Sequence, residues 1–159
     1  MSDAALIARL QRNDRAAYAT LAAQYGEMLF GYIYQSTLDR QQSEALLQAT
    51  LVRVIAQIDG YPVHLPLFVW LYRMAQTVLR DTYIPPPHPA CVPQCAGARA
   101  AAHDHAPLDA LALDERQVIA LRCVADLSVS EIGYVLGKSN QAVKQLHYQA
   151  LRALSQALR

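Results

Sequence analysis

The sequence predicts an all-α protein of two small helical domains joined by a proline-rich linker. Apolar residues recur at spacings of three and four along most of the chain, as on one face of an amphipathic helix. No segment has the two-residue alternation of a half-buried strand. Six of the eight prolines fall between residues 85 and 107, where their density excludes a continuous helix. We therefore place one domain at residues 1–81, a flexible Pro- and Ala-rich linker at 82–107 and a second domain at 108–159.

The first domain opens with capped helices. Ser2 and Asp14 are residue types that favour the N-cap position, and each precedes an amphipathic segment. A separate third helix is predicted over residues 26–37.

Asp39 caps a long fourth helix, which ends before the loop at Gly60 and Pro62. The next helix starts near Leu67 and must stop before Pro85, because the residue before a proline is pushed out of the α region. The fourth helix is predicted to have one continuous apolar stripe, made of Leu46, Leu47, Leu51, Val54, Ile55 and Ile58.

Three helices are predicted in the second domain. Asp114 is the predicted cap of the segment ERQVIALRCVAD, and Ser128 with Glu131 forms a capping box for the next helix. Gly137 stands where a helix can turn left-handed and end, and Ser139 caps the last helix.

The amino-acid composition limits the kinds of protein that this chain can be. The 159 residues are 53% hydrophobic, which is ample for a folded core. No segment approaches the roughly 18 uninterrupted apolar residues of a membrane span, and the N-terminus lacks the order of a signal peptide. Three cysteines do not form a disulfide framework and are typical of a reducing compartment. We expect a cytoplasmic protein with no membrane partner.

The positive charge is concentrated at the end of the chain. The net charge is only +1, but residues 132–159 contain four basic residues and no acid. These are Lys138, Lys144, Arg152 and Arg159.

The last helix has two different faces. Its apolar face consists of Val143, Leu146, Ala150, Leu154 and Leu158. Its polar face consists of Gln141, Lys144, Gln145, Tyr148 and Arg152, preceded by Ser139 and Asn140. With the helix before Gly137, this arrangement predicts a helix-turn-helix whose second helix enters the major groove, where glutamine and asparagine pair with adenine and basic residues bind phosphate. The alternative is a solvated polar face of a helical bundle.

The second domain also carries a distinctive order of residue types. These are Leu113, Glu115 and Arg116, the apolar run 118–121, Leu127 and Ser128, Glu131 and Ile132, Gly137, Ser139, and the run 142–144. This order resembles the fourth region of the sigma-70 superfamily, in its branch of two-domain extracytoplasmic-function (ECF) sigma factors. The resemblance implies that residues 108–154 recognise the upstream promoter element.

Residues 3–81 resemble the second sigma region, through the runs 43–48 and 70–75 above all. The resemblance implies that this domain docks on RNA polymerase and opens the downstream promoter element. The expected polymerase contacts are Glu44, Leu47, Gln48 and Leu51, and the expected DNA contacts are Tyr61, His64, Arg73 and Arg80. Tyr61 and His64 are candidates to stack on an unpaired base, with turn packing beside Pro62 as the alternative for Tyr61. Trp70 is expected in the core.

The resemblance implies an alternative sigma factor whose partners are core RNA polymerase and promoter DNA, with an anti-sigma factor as a further suggested partner. Some positions depart from the family pattern: Ala45 and Ala49 replace acids, Thr77 replaces asparagine, and Ile84, Pro85 and Gln149 replace arginines. These departures leave an alternative, a degenerate sigma-like regulator or anti-sigma-binding mimic that does not melt promoters. Without a phosphate loop, a nucleophile elbow or paired carboxylates, no enzyme and no cofactor are expected.

The linker contains a possible metal-binding set, Cys91, Cys95, His103 and His105. Two thiolates and two imidazoles can hold zinc tetrahedrally, but the spacing is poor for a structural zinc site. A plain flexible tether is the favoured interpretation, and no metal is assigned.

Overall fold

The structure is a computed structural model that describes residues 3–83 and 111–157, together with Leu108. The chain divides into two compact units, one mainly before and one mainly after Tyr83. The part of the chain that the structure describes is helical and contains no strand, so the all-α prediction is confirmed. None of the helices in this part has the length and apolar character needed to cross a membrane.

The first unit begins with helices α1 (Asp3–Gln11) and α2 (Arg15–Thr37). Asp14 caps α2 as predicted, because its carboxylate accepts a hydrogen bond of 2.9 Å from the Ala16 amide. Arg9 at the end of α1 donates to the same carboxylate at 2.7 Å, and this bond holds the pKa of Asp14 below its usual value. The predicted cap Ser2 lies outside the described residues.

The prediction of a separate helix over residues 26–37 is wrong, because α2 continues without a break through Gly26. A glycine inside a helix costs about 1 kcal/mol relative to alanine. Burial outweighs this cost, since Leu21, Leu29 and Ile33 are all fully buried along the same helix.

Helix α3 (Arg40–Gln57) starts at the predicted cap, where the Asp39 carboxylate accepts from the Gln42 amide at 2.9 Å. The predicted apolar stripe is confirmed at Leu46, Val54 and Ile58, which are buried, but it is not continuous. The buried face of α3 is Ser43, Leu46, Thr50 and Val54, whereas Leu47, Leu51 and Ile55 are half-buried at its edge. The two buried hydroxyls are tolerated because both are hydrogen-bonded: Thr50 donates to the Leu46 carbonyl at 2.7 Å, and Ser43 lies 2.8 Å from the Thr37 hydroxyl.

A 3-10 turn (Ile58–Gly60) and a loop lead to α4 (Leu67–Thr82). This helix supplies much of the first core, including Trp70 and Tyr72, each 3% exposed. Burial raises the pKa of Tyr72 to about 12. The first unit extends past the predicted boundary, because Thr82 ends α4 and Tyr83 is buried.

The second unit contains α5 (Leu113–Ile119), a π-helical turn (Ala120–Val124), α6 (Val129–Leu136) and α7 (Asn140–Ala157). Its core includes Leu111, Val118, Leu121 and Leu127. The prediction that Asp114 caps this helix is wrong, since α5 starts two residues earlier than predicted, with Ala112 at the cap position. Glu115 accepts from the Ala112 amide at 3.0 Å, and Asp114 instead pairs with Lys138.

Candidate nucleic-acid interface

Helix α6 is fixed by hydrogen bonds at both of its ends. Ser128 accepts from the Glu131 amide at 3.3 Å, and Glu131 accepts from the Ser128 amide at 2.8 Å, which confirms the capping box. At the other end Gly137 takes the left-handed conformation with φ 66°, as predicted. The Lys138 amide then donates to the Gly133 carbonyl at 3.0 Å, which closes the turn.

Gly133 is required for the close approach at this turn. A Cβ atom there would lie 2.8 Å from the Lys138 carbonyl oxygen and 3.2 Å from the Asn140 side chain. Backbone therefore packs on backbone where α7 begins, and the direction of α7 is fixed by that contact.

Helix α7 buries one face and exposes the other. Val143 and Ala150 are buried, with Leu146 and Leu154 half-buried beside them. Every residue predicted to contact DNA from this helix and its cap is exposed: Ser139, Asn140, Gln141, Lys144, Gln145, Tyr148 and Arg152. The tyrosine is 68% exposed, which leaves its ring available for contact. The structure thus brings these seven side chains to the solvent side of a single helix.

One ion pair anchors the start of α7 to α5. The Lys138 ammonium lies 2.9 Å from a carboxylate oxygen of Asp114, and both side chains are partly exposed. Helix α7 itself contains no acid, so the charges of Lys144 and Arg152 are not offset within their own helix. A basic, acid-free exposed face is the electrostatic character that a DNA backbone binds.

We expect Lys144→Ala and Gln141→Ala to weaken DNA binding in different ways. Loss of a phosphate contact should lower affinity for all duplexes and reduce the slope of log affinity against log salt by about 1. Loss of a base contact should cost about 1–3 kcal/mol only on the preferred duplex. Titration of specific and random duplexes at several salt concentrations separates the two. Equal losses on both duplexes for both variants would contradict the base-reading role of Gln141.

In the first unit, the loop before α4 presents one predicted contact more openly than the other. The His64 side chain is exposed, whereas Tyr61 is half-buried with its ring 5.4 Å from that of Trp70, edge to face. The Tyr61 hydroxyl donates to the Leu65 carbonyl oxygen. Burial, with a smaller contribution from the Asp3 charge, raises the pKa of Tyr61. Tyr61 therefore shapes the loop, and the loop presents His64. Trp70 lies in the core, as expected.

Stacking on an unpaired base predicts a specific loss for His64→Ala. Removal of the ring should weaken binding of single-stranded downstream-element DNA by about 1–2 kcal/mol. Tyr61→Phe keeps its ring and serves as the matched variant, which should lose less. A larger loss for Tyr61→Phe than for His64→Ala would contradict the assignment.

The two predicted basic contacts of α4 differ in exposure. Arg73 is half-buried, and Arg80 is exposed near the end of the helix. Asp81 lies 2.9 Å from Arg53 of α3 and 3.8 Å from Arg80. Arg53 was not among the predicted contacts, because only the packing of α3 on α4 brings it to this end of α4.

The four predicted polymerase contacts lie on one side of α3. Glu44 and Gln48 are exposed, and Leu47 and Leu51 are half-buried between them and the core. Val52, a neighbouring residue that the sequence did not single out, is 67% exposed. Partly exposed leucines beside polar residues suit a surface that docks a protein partner.

The cysteines and histidines proposed as an alternative zinc set lie outside the described residues. Within the described ranges, no group of three or more His, Cys, Asp or Glu side chains could hold a metal ion.

Comparison with known proteins gives a family match for the second domain and a relative that matches along most of the chain. Residues 108–156 match the family described as "Sigma-70, region 4". The chain is 26% identical over 170 residues to the ECF RNA polymerase sigma factor BldN of Streptomyces coelicolor. That match covers 96% of this chain and 64% of BldN, so the chain spans less than two thirds of its relative.

Two solved structures share the fold along most of the chain. CnrH, in complex with the cytosolic domain of CnrY, has a TM-score of 0.75 and 23% identity, covering 98% of this chain and 96% of CnrH. The sigma factor RpoE of Bartonella quintana, in complex with the anti-sigma factor NepR, has a TM-score of 0.67 and 16% identity. The RpoE match covers 89% of this chain and 96% of that one. At these identities the likeness concerns the fold.

Proposed function

We propose that the chain is a member of the sigma-70 family, in its extracytoplasmic-function branch, and an alternative sigma factor that directs core RNA polymerase to a small set of promoters. The observation that carries the proposal is the composition of the exposed face of α7. This helix presents an acid-free row of glutamine, lysine, tyrosine and arginine side chains from the helix-turn-helix that matches the fourth sigma region. Such a face suits major-groove recognition of the upstream promoter element.

In this proposal the first domain carries the other two tasks. The exposed side of α3 around Gln48 docks on the polymerase, and the loop at His64 captures a base of the opened downstream element. Strand opening needs no catalytic group, because a flipped base is held by stacking and hydrogen bonds that offset a few kcal/mol of lost stacking. The protein therefore acts by binding and not as an enzyme.

The domain organisation follows from the same proposal. The domain of residues 1–81 corresponds to the second sigma region and the domain of residues 108–159 to the fourth region, with residues 82–107 connecting them. The site of action is the cytoplasm, where promoter DNA and polymerase are. An anti-sigma factor is the expected regulatory partner, since the structurally similar RpoE is in complex with one.

Copurification with core RNA polymerase followed by run-off transcription tests the proposal. We expect the tagged full chain to retain core polymerase and the assembled enzyme to give transcripts of defined length from a few promoters. A chain that binds duplex DNA but neither retains polymerase nor supports any transcript would instead favour the sigma-like regulator.

A further inference from the structure

A cleft of about 380 Å³ runs along one flank of α7, within the second unit. It is open to solvent and extends beside the row of exposed side chains described above. Its lining residues are Lys138, Ser139, Ala142, Gln145, Leu146 and Gln149. Gln149 was not among the predicted DNA contacts, and it is exposed.

The cleft combines an apolar floor with an amide rim. Ala142 and Leu146 are half-buried and lie one turn apart, so they form the apolar part. Gln145 and Gln149 are exposed, also one turn apart, and bring two carboxamides to the same cleft. Lys138 is the charged residue that lines the cleft, and its charge is offset because it pairs with Asp114 at 2.9 Å. The cleft is thus suited to a neutral ligand with a small apolar group beside hydrogen-bonding groups.

The major-groove edge of an A·T pair has this chemistry. Thymine presents a C5-methyl group there, and adenine presents a donor at N6 beside an acceptor at N7. A G·C pair has no methyl group to place on Ala142. The charges of Lys144 and Arg152, which no acid of their own helix offsets, favour a polyanion such as DNA as the source of these base edges.

We infer that this cleft reads an A·T-containing step of the upstream element, with one thymine methyl seated on Ala142 and Leu146 and the Gln149 carboxamide paired with a neighbouring adenine. The inference rests on the proposed function, since α7 must lie in the major groove for base edges to reach the cleft. It makes Ala142 and Gln149 specificity-determining residues beyond the predicted set.

Single-atom changes in the DNA test the inference. The full chain, assembled with core polymerase, first selects its preferred duplexes from a randomised library. Each thymine of the selected element is then replaced by deoxyuridine, which removes only the methyl group. We expect an affinity loss of about fourfold at one position, as for one buried methyl-sized group. Ala142→Gly should bind the thymine and uracil duplexes equally, and should match the unaltered protein on the uracil duplex within about twofold.

Replacing each adenine by 7-deazaadenine removes the N7 acceptor and tests Gln149. The unaltered protein should lose about fivefold or more at one adenine, by loss of one arm of a bidentate pair. Gln149→Ala should be indifferent to this change. Gln141→Ala is the matched comparison, because Gln141 is exposed on the same helix but does not line the cleft; this variant should bind more weakly and yet remain sensitive at the adenine assigned to Gln149.

The outcomes separate the inference from the proposed function. If the enzyme assembles and selects a duplex, but no thymine is methyl-sensitive or Ala142→Gly keeps the sensitivity, the cleft does not read thymine and the proposed function stands. Sensitivity to 7-deazaadenine that survives in Gln149→Ala would overturn the role of Gln149. Failure to assemble with core polymerase or to select any duplex would overturn both.

Discussion

Gly133→Ala should strongly weaken specific binding of the upstream promoter element while polymerase binding persists. The new Cβ would lie 2.8 Å from the Lys138 carbonyl oxygen, a backbone atom that cannot move without opening the turn. Overpacking of this kind costs about 1–3 kcal/mol, although alanine regains up to about 1 kcal/mol of helix propensity. Because α7 starts three residues after Gly137, a shifted turn displaces the whole exposed face of α7. We therefore expect the affinity for the upstream element to fall at least about tenfold. Duplex titration and polymerase copurification measure the two properties.

Gly31→Ala is the matched control for that experiment. Gly31 lies inside α2, and a Cβ there would meet no atom within 4 Å apart from the adjacent backbone of its own helix. The substitution should stabilise the first domain by about 0.5–1 kcal/mol and leave DNA binding unchanged. Equal DNA affinity for Gly133→Ala and Gly31→Ala would show that the turn tolerates the extra methyl group and that α7 is not positioned by this contact.

The double substitution Leu47→Glu with Gln48→Ala should abolish copurification with core RNA polymerase. Leu47 is half-buried and Gln48 exposed on the side of α3 that is expected to dock. A carboxylate at residue 47 can remain solvated, yet it would be desolvated when a partner covers it, at a cost of several kcal/mol. We expect circular dichroism to show unchanged helical content and a pull-down to show no retained polymerase.

Ala49→Glu controls for the added charge. Ala49 is exposed on the same helix, at a position where the sigma pattern usually has an acid. Polymerase retention should therefore be kept or increased. If the Leu47 and Gln48 variant is folded and still retains polymerase, the docking surface lies elsewhere.

Local signals predicted the helix ends well and the long-range packing poorly. Asp39, Ser128 and Gly137 act through hydrogen bonds or backbone conformations within a few residues, and each was found where the sequence placed it. The helix break predicted at Gly26 was wrong because the tertiary burial of α2 outweighs the poor helix propensity of glycine. The cap predicted at Asp114 was wrong because this residue pairs with Lys138, which is distant in sequence.

The exposed polar face of α7 was predictable because it depends only on helical periodicity and charge, which can be read from consecutive residues. The flank at Gln149 was not, because a cleft forms only when the turn at Lys138 and Ser139 folds against α7. The edge of α3 likewise needed the structure. Periodicity placed Leu47 and Leu51 in the core stripe, whereas Ser43 and Thr50 occupy the buried positions.

Promoter opening is the most direct test of the proposal that this chain is a functional sigma factor. Polymerase assembled with the full chain should be incubated with a promoter that supports run-off transcription, and unpaired thymines detected by permanganate reactivity. We predict reactive thymines in the downstream element, absent with core polymerase alone and reduced with His64→Ala. If the upstream element is bound but no thymine becomes reactive on any selected promoter, the chain does not melt DNA, and a sigma-like DNA-binding regulator is the correct account.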